Sequence, residues 1–301
     1  MPGLAVGDFN GDGKLDVALA SPGIKILLGN CDGTFVLFTN YPGGGYAVAA
    51  ADLNGDHKLD LVTANYSYSS MSVYFGNGYG TFAAPINYSG DFSEYHYAVA
   101  VGDFNNDGKP DLATVNYYNG SVSVRLNEGN GTFGPETRYK VILGPACVAA
   151  GDFSHDGNLD IVAGQRSSPN GLAFLLGNGT GTFSEALTNF PDSDGSYQSL
   201  AVADLDGDGL VDLATTDAGN HAVTVRLNQS VALLKIEPLS SQIKLSWPDW
   251  SGCLLESTKN LLDTNSWMTV TDAPALVGNQ RVLTNSITGD SQFYRLEKPA
   301  P

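Results

Sequence analysis

The chain has 301 residues, 42% of them hydrophobic, which is enough for one large repeat domain and a small one. Its net charge is −17 and it has no basic stripe to neutralise phosphates, which argues against nucleic acid as a partner. Cys31, Cys147 and Cys253 are widely spaced and odd in number, so no disulfide framework is expected, and no apolar run reaches the roughly 20 residues of a membrane span.

From the amino terminus, Met1-Pro2-Gly3 runs directly into a strand-like Leu4-Ala5-Val6, without the charged start and apolar core of a secretory signal. An acidic loop follows at once. Asp8, Asn10, Asp12 and Asp16 place four oxygen-bearing side chains within nine residues, and the pattern recurs at intervals of about 50 residues. The second copy is Asp52, Asn54, Asp56 and Asp60; the third is Asp103, Asn105, Asp107 and Asp111. The fourth is Asp152, Ser154, Asp156 and Asp160, and the fifth is Asp204, Asp206, Asp208 and Asp212. These loops hold 16 of the 32 acidic residues, so the acidity reads as ion binding rather than as a disordered acidic tail.

Short oxygen-bearing side chains alternating around a tight loop supply the hard ligands that Ca²⁺ requires. The residues above are the expected side-chain ligands. The seventh loop residue, which is Lys14, Lys58, Lys109, Asn158 or Leu210, is expected to contribute its backbone carbonyl. Gly108 and its counterparts supply the positive-φ turn, and His57 takes that place in the second loop at a cost of about 1 kcal/mol. An EF-hand is excluded, because its twelfth position requires Glu and here carries Leu19, Thr63, Thr114, Ala163 or Thr215 between strand-like flanks. Up to five Ca²⁺ are expected, mainly as structural fastenings. The fifth loop, with four carboxylates, should bind tightest, and the second or the fourth, with Ser154, weakest. Weak multi-Asp sites load where calcium is roughly millimolar. The protein is therefore expected to be secreted or on the cell surface, with its true start and signal upstream of Met1.

Each repeat reads as four short strands. In the third these are Ala98 to Val101, Leu112 to Val115, Ser121 to Leu126, and a fourth opening at Thr132-Phe133 and ending near Tyr139. One such sheet cannot bury both faces, so copies must stack. An all-β propeller of five blades follows, with small first strands beside the axis; a parallel β-helix is the rival, but its repeats are shorter.

These loops, with the turn Gly-Asn-Gly-x-Gly-Thr-Phe at Gly76 to Phe82 and Gly177 to Phe183, resemble FG-GAP or VCBS-type repeats over roughly residues 3 to 230. The resemblance implies calcium between the first and second strands of a blade, and roles in adhesion or glycan binding. Its members commonly have seven blades, so five copies could be part of a larger ring.

Strand alternation puts the acidic loops on one face and the blade-to-blade and second-to-third loops on the other. Tyrosines crowd that second face. Tyr41, Tyr88 and Tyr139 share one repeat position with Phe190, and Tyr46 matches Tyr97, so these are expected to pack. Asn65, Tyr66, Tyr68, Tyr95, His96, Asn116, Tyr117, Tyr118 and Asn119 remain as candidates for contact with an extracellular glycan or protein. Motifs for catalysis are lacking: there is no His-Glu-x-x-His, no Gly-x-Ser-x-Gly and no phosphate-cradling loop, so the expectation is a non-enzyme. The alternative is a carbohydrate-active enzyme resembling propeller polysaccharide lyases, or a non-catalytic portion of one.

Near residue 230 the composition shifts: Gly252, Gly278 and Gly289 are the only glycines beyond it, and all three tryptophans follow it. Residues 231–301 are expected to form a small β-sandwich, with strands at Ala232 to Ile236, Ile243 to Trp247, Leu254 to Ser257, Trp267 to Val270, Arg281 to Thr284 and Phe293 to Leu296. Ile243 to Trp247 and Phe293 to Leu296 carry a resemblance to fibronectin type III or immunoglobulin-like modules.

Overall fold

The structure is a computed structural model and describes residues 3–65, 70–89, 96–166, 171–184, 187–191, 197–217, 221–228, 235–239, 242–248, 254–258, 268–272, 274–277, 280–286 and 293–297. The chain divides into two compact units, Met1–Leu205 with Leu210–Leu227, and Asn228–Pro301 with Asp206–Gly209.

The first unit is a five-bladed β-propeller built of antiparallel meanders in sequence order. Blade one comprises Leu4–Gly7, Asp16–Ala20, Pro22–Gly29 and Phe35–Gly44. Blade two comprises Ala47–Ala51, Asp60–Asn65, Ser70–Tyr74 and Ile86–Ser89. Blade three comprises His96–Gly102, Asp111–Asn116, Ser121–Arg125 and Thr137–Lys140. Blade four comprises Pro145–Gly151, Asp160–Gln165, Gly171–Leu175 and Leu187–Pro191. Blade five has three strands among the described residues, Tyr197–Ala203, Asp212–Asp217 and Ala222–Arg226.

The sequence reading differs in the third blade. Thr132–Phe133 does not open the fourth strand; it pairs with Asn127–Gly129 in a small hairpin of its own. Gly129 there has φ 97°, which lets the hairpin turn tightly and leaves the outer strand to begin at Thr137.

The second and third strands of the middle blades are buried on both faces, because a blade has a neighbour on either side and successive side chains point to opposite faces of the sheet. Ala18, Ala20, Ile24 and Ile26 of blade one pack against Leu61, Tyr74 and Phe82 of blade two. Val62, Met71 and Val73 on the other face of blade two meet Leu112 and Phe133 of blade three. Val115, Val122 and Val124 then meet Ile161, Ala163 and Leu175, and Val162 and Leu172 meet Tyr197 and Leu213 of blade five. Each fully buried aliphatic side chain stabilises the fold by about 1.5–3 kcal/mol relative to exposure. The cores thus lie between blades, and no blade is complete alone.

The end blades show what that means. Leu4 and Val6 of blade one and Val223 and Val225 of blade five are exposed.

The second unit carries seven strands among its described residues. Lys235–Leu239, Gln242–Pro248, Gln280–Ser286 and Ala275–Val277 form one sheet, in that order. Met268–Thr269, Leu254–Thr258 and Phe293–Glu297 form another. Leu245 and Leu283 of the first sheet share an apolar cluster with Leu255 of the second. The first strand runs Lys235–Leu239 rather than from Ala232, and residues 232–234 and Trp267 lie outside the described residues. Among the described residues, no helix is long and apolar enough to cross a membrane.

Candidate functional site

The acidic loops are built from nested turns in which carboxylates accept backbone N–H groups. In loop one, Asp8 Oδ1 accepts from Gly11 N (2.8 Å) and Asp12 N (3.2 Å), and Asp8 Oδ2 accepts from Gly13 N (2.8 Å). Asn10 Oδ1 accepts from Asp12 N, and Asp12 Oδ1 from Lys14 N. The second loop repeats this with Asp52, Asn54 and Asp56, and the third with Asp103, Asn105 and Asp107. In the fourth, Asp152 and Asp156 keep their bonds to Asp156 N, Gly157 N and Asn158 N. Lys14, Lys58 and Lys109 fold back onto Asp12, Asp56 and Asp107 in exposed ion pairs of 3.2, 3.7 and 3.0 Å. His57 is at φ 64°, the left-handed conformation that Gly108 adopts at 81° in the third loop. In loop five, Asp204, Asp206 and Asp208 each offer a carboxylate oxygen within 4.8 Å of the others.

The ninth loop position does something the sequence did not disclose. Asp16, Asp60, Asp111, Asp160 and Asp212 are fully buried. Asp60 Oδ2 accepts from Leu53 N (2.9 Å) and Oδ1 from Gly76 N (2.8 Å), so one carboxylate ties the loop to the turn after the third strand. Asp16 does the same with Phe9 and Gly29, Asp111 with Phe104 and Asn127, and Asp160 with Ser154 and Gly177. The turn explains its glycine: a Cβ on Gly76 would sit 2.2 Å from Leu59 O. Blade three has Asn127 there, and its Nδ2 donates to Pro110 O (3.0 Å) and Leu53 O (2.9 Å).

Burial of the Asp60 carboxyl pushes its pKa up to about 6, with Asp56 and Asp52 adding to the rise against two backbone hydrogen bonds. Asp111 and Asp160 are also raised, first by burial. The loop lysines pair with the fifth position and not with this buried one. An all-oxygen donor set beside a buried carboxylate whose charge is disfavoured fits a hard divalent cation, which would relieve that penalty.

At the opposite ends of the first strands, a cavity of about 450 Å³ opens among all five blades. Tyr46, Tyr97, Arg166, Gln198 and Ser199 are among its lining residues. Tyr46 meets Tyr97 edge-on, with centroids 5.1 Å apart. Tyr117 stacks on Tyr97 at 4.6 Å and 30°, and Tyr118 meets Tyr117 edge-on at 5.2 Å. Four tyrosines thus form one contiguous group. The thiol of Cys147, also in the lining, donates to Gly164 O (3.6 Å), and burial pushes its pKa up to about 12. It is a poor nucleophile.

Of the nine opposite-face candidates, Tyr66, Tyr68 and Tyr95 lie outside the described residues. Tyr117 and Tyr118 join the aromatic group, and Asn119 Oδ1 accepts from Ser121 Oγ. Asn65, His96 and Asn116 do not reach the surface: they are 6%, 2% and 0% exposed. The two asparagines close the second strands, where Asn65 Nδ2 donates to Ser70 and Ser72 and Asn116 Nδ2 to Ser121 and Ser123. His96 Nδ1 pairs with Thr114 Oγ1 at 3.0 Å, and burial depresses the imidazole pKa to about 4. These three side chains are engaged across strands within their own blades. The sequence reading missed Tyr46, Tyr97 and Arg166. The shared repeat position of Tyr46 and Tyr97 is the available signal, and it fits packing equally well. Tyr41, Tyr88 and Tyr139 do pack, against Phe82, Phe133 and Phe183 of the following blade.

A family model described as an FG-GAP-like repeat matches residues 8–63, 52–114, 103–163 and 152–215. The rat (Rattus norvegicus) phosphatidylinositol-glycan-specific phospholipase D is 28% identical over 236 residues. That match covers 67% of this chain and 27% of the rat enzyme, so the chain spans about a quarter of that relative's length. Among solved structures, an Agrocybe aegerita lectin studied for specific recognition of non-reducing terminal N-acetylglucosamine superposes with a TM-score of 0.52 at 17% identity. The superposition covers 97% of this chain and 84% of the lectin, and is a likeness of fold. A Photorhabdus luminescens Tc holotoxin pore gives a TM-score of 0.43 at 22% identity, over 83% of this chain and 12% of that one.

Proposed function

We propose, from the premise that this chain belongs to the FG-GAP-like repeat family, that it is an extracellular glycan-recognition or adhesion module that binds at the channel mouth and carries Ca²⁺ in its acidic loops. The observation that carries this reading is the contiguous group Tyr46, Tyr97, Tyr117 and Tyr118 beside a cavity of about 450 Å³. Flat rings with polar tips stack on the apolar faces of sugars and hydrogen-bond their hydroxyls. The lectin of similar fold supports the choice of ligand class.

The acidic loops hold the blades. Bound Ca²⁺ would supply compact positive charge to their oxygens; the first, third, fifth and ninth side chains with the seventh carbonyl would hold it. The ninth Asp already ties the loop to the third-strand turn, so a cation there stiffens a junction that exists. Such sites load at roughly millimolar calcium, which supports an extracellular setting. The reading is of binding without catalysis, and the high pKa of the Cys147 thiol is consistent with it.

A glycan array probed with wild type and with the double variant Tyr97→Ala/Tyr117→Ala tests it. Loss of the wild-type signals in a variant that still unfolds cooperatively is expected. An unchanged binding profile would overturn the assignment of the site.

A further inference from the structure

We infer that His96 is the positioning residue of the channel mouth: through Thr114 it holds a bulged Tyr97 against Tyr117, so that the two rings stand ready for a sugar; the binding role rests on the glycan reading above. Tyr97 is an extra residue in its strand. Val115 of the second strand pairs with Ala98 and the next residue, Asn116, pairs with His96, which leaves Tyr97 out of the ladder. A bulge bends its strand and re-aims the side chain of the extra residue. Here the ring stacks on that of Tyr117, at 4.6 Å and 30°. Tyr97 follows His96 and Tyr117 follows Asn116, so the stacked rings are carried by the two members of one cross-strand pair.

Blade two shows what is particular to that pair. Thr63 and Thr114 hold the same repeat position, as do Asn65 and Asn116. In blade two, Thr63 Oγ1 donates to Asn65 Oδ1 at 3.0 Å. In blade three, Thr114 Oγ1 is paired with His96 Nδ1 instead, also at 3.0 Å, and among the described residues Asn116 Oδ1 has no hydrogen-bond partner. The residue that makes the difference is Gly45 in blade two and His96 in blade three; a Cβ on Gly45 would already lie 3.1 Å from Thr63 Cβ.

The histidine thus draws the threonine hydroxyl away from the asparagine and leaves a buried acceptor unpaired. An unpaired buried acceptor is destabilising, so stability alone does not favour this arrangement, and its place directly beneath the stacked rings supplies the reason for it. Blade four keeps the bulge, with Ala146 as the extra residue, but has Pro145 and Ala163 at the places of His96 and Thr114. A bulge alone needs no such bond. The bulge that must hold an aromatic ring in one orientation has it.

The test combines near-UV circular dichroism with titration of chitotriose in calcium-containing buffer. The signal of the stack is the tyrosine band that wild type shows and Tyr97→Ala lacks. Thr114→Val, which keeps the shape and removes the hydroxyl, and His96→Ala should lose that band and bind chitotriose about tenfold more weakly, while still unfolding cooperatively. Thr114→Ser and His96→Asn keep a hydrogen-bonding group at the same place and should retain both band and affinity. A band intact in Thr114→Val, with only stability reduced, would overturn the inference and leave the glycan reading standing. Chitotriose affinity unchanged in Tyr97→Ala, or no binding by wild type, would count against the glycan reading alone, since the spectral readout needs no ligand.

Discussion

At the scale of single residues, the acidic loops contain two kinds of aspartate that look alike in the sequence. Asp103 and Asp107 are part of exposed turns, whereas Asp111 is fully buried and accepts from Phe104 N and Asn127 N. Truncating a buried acceptor leaves its donors unpaired at about 1–3 kcal/mol each. Asp111→Ala should therefore destabilise the calcium-free protein by about 2–4 kcal/mol and Asp12→Ala by less than about 1 kcal/mol, read by urea unfolding. Equal effects would contradict the clasp. His96 makes a pH-dependent counterpart. Its imidazole is held neutral by burial and by Arg125 and Arg138, against the pull of Glu136, and its pKa falls to about 4. Among the described residues its Nε2 has no hydrogen-bond partner, so a second N–H would go unpaired. The unfolded chain binds this proton from about pH 6.5 downward and the folded chain only near 4. Stability is thus lost as pH falls through that window, by up to about 3 kcal/mol. Asp60, raised to about 6, acts with the opposite sign, since its contribution is present below pH 3.8 and lost as pH rises through 6. Comparing wild type with His96→Gln isolates the histidine: the variant should lose less stability between pH 7 and 4, and parallel curves would refute the assignment. None of this was legible beforehand. The sequence presents His96, Asn65 and Asn116 as polar residues at strand ends, and only the cross-strand pairing shows their partners to be Thr114 and the facing serines.

At the scale of the blade, the repeated Gly-Thr-Phe turn is a fastener between neighbours. Phe82 meets Phe9 and Tyr41 of blade one edge-on, at 5.9 and 6.0 Å, and the Tyr41 hydroxyl accepts from Phe82 N at 2.7 Å. Phe183 meets Phe104 and Tyr139 in the same way. Phe35 holds the equivalent place in blade one, yet it is 47% exposed where Phe82 is 8%. Phe82→Ala should then cost about 3–5 kcal/mol, and Phe35→Ala less than half as much, in thermal or urea unfolding. Similar losses would mean that the motif stabilises its own blade and not the contact with a neighbour. Strand order and most strand ends were readable because alternation within a blade obeys a local rule. The hairpin at Asn127–Gly129 and Thr132–Phe133 was not, since Thr132-Phe133 reads equally well as the start of an outer strand.

At the scale of the molecule, the propeller separates two chemistries on opposite ends of its first strands. Acidic loops cluster at one end, and the tyrosine group and Arg166 of the channel mouth lie at the other. Ions that bind only the folded state stabilise it by mass action, about 2.7 kcal/mol for each site held at a hundredfold excess over its Kd. Chelation should accordingly lower the melting temperature by several degrees or more, and a melting temperature indifferent to chelator would remove calcium from the account. Repetition made the acidic end legible from the chain alone. At the mouth only Tyr117 and Tyr118 were legible, because the other residues come from several blades and meet only around the axis. The measurement that bears most directly on this division compares two variants, Asp206→Ala/Asp208→Ala and Tyr97→Ala/Tyr117→Ala, for glycan affinity and melting temperature at saturating calcium. The loop variant should melt lower and keep its affinity, and the mouth variant should lose its affinity while still unfolding cooperatively; affinity lost in the loop variant and kept in the mouth variant would contradict the division of roles.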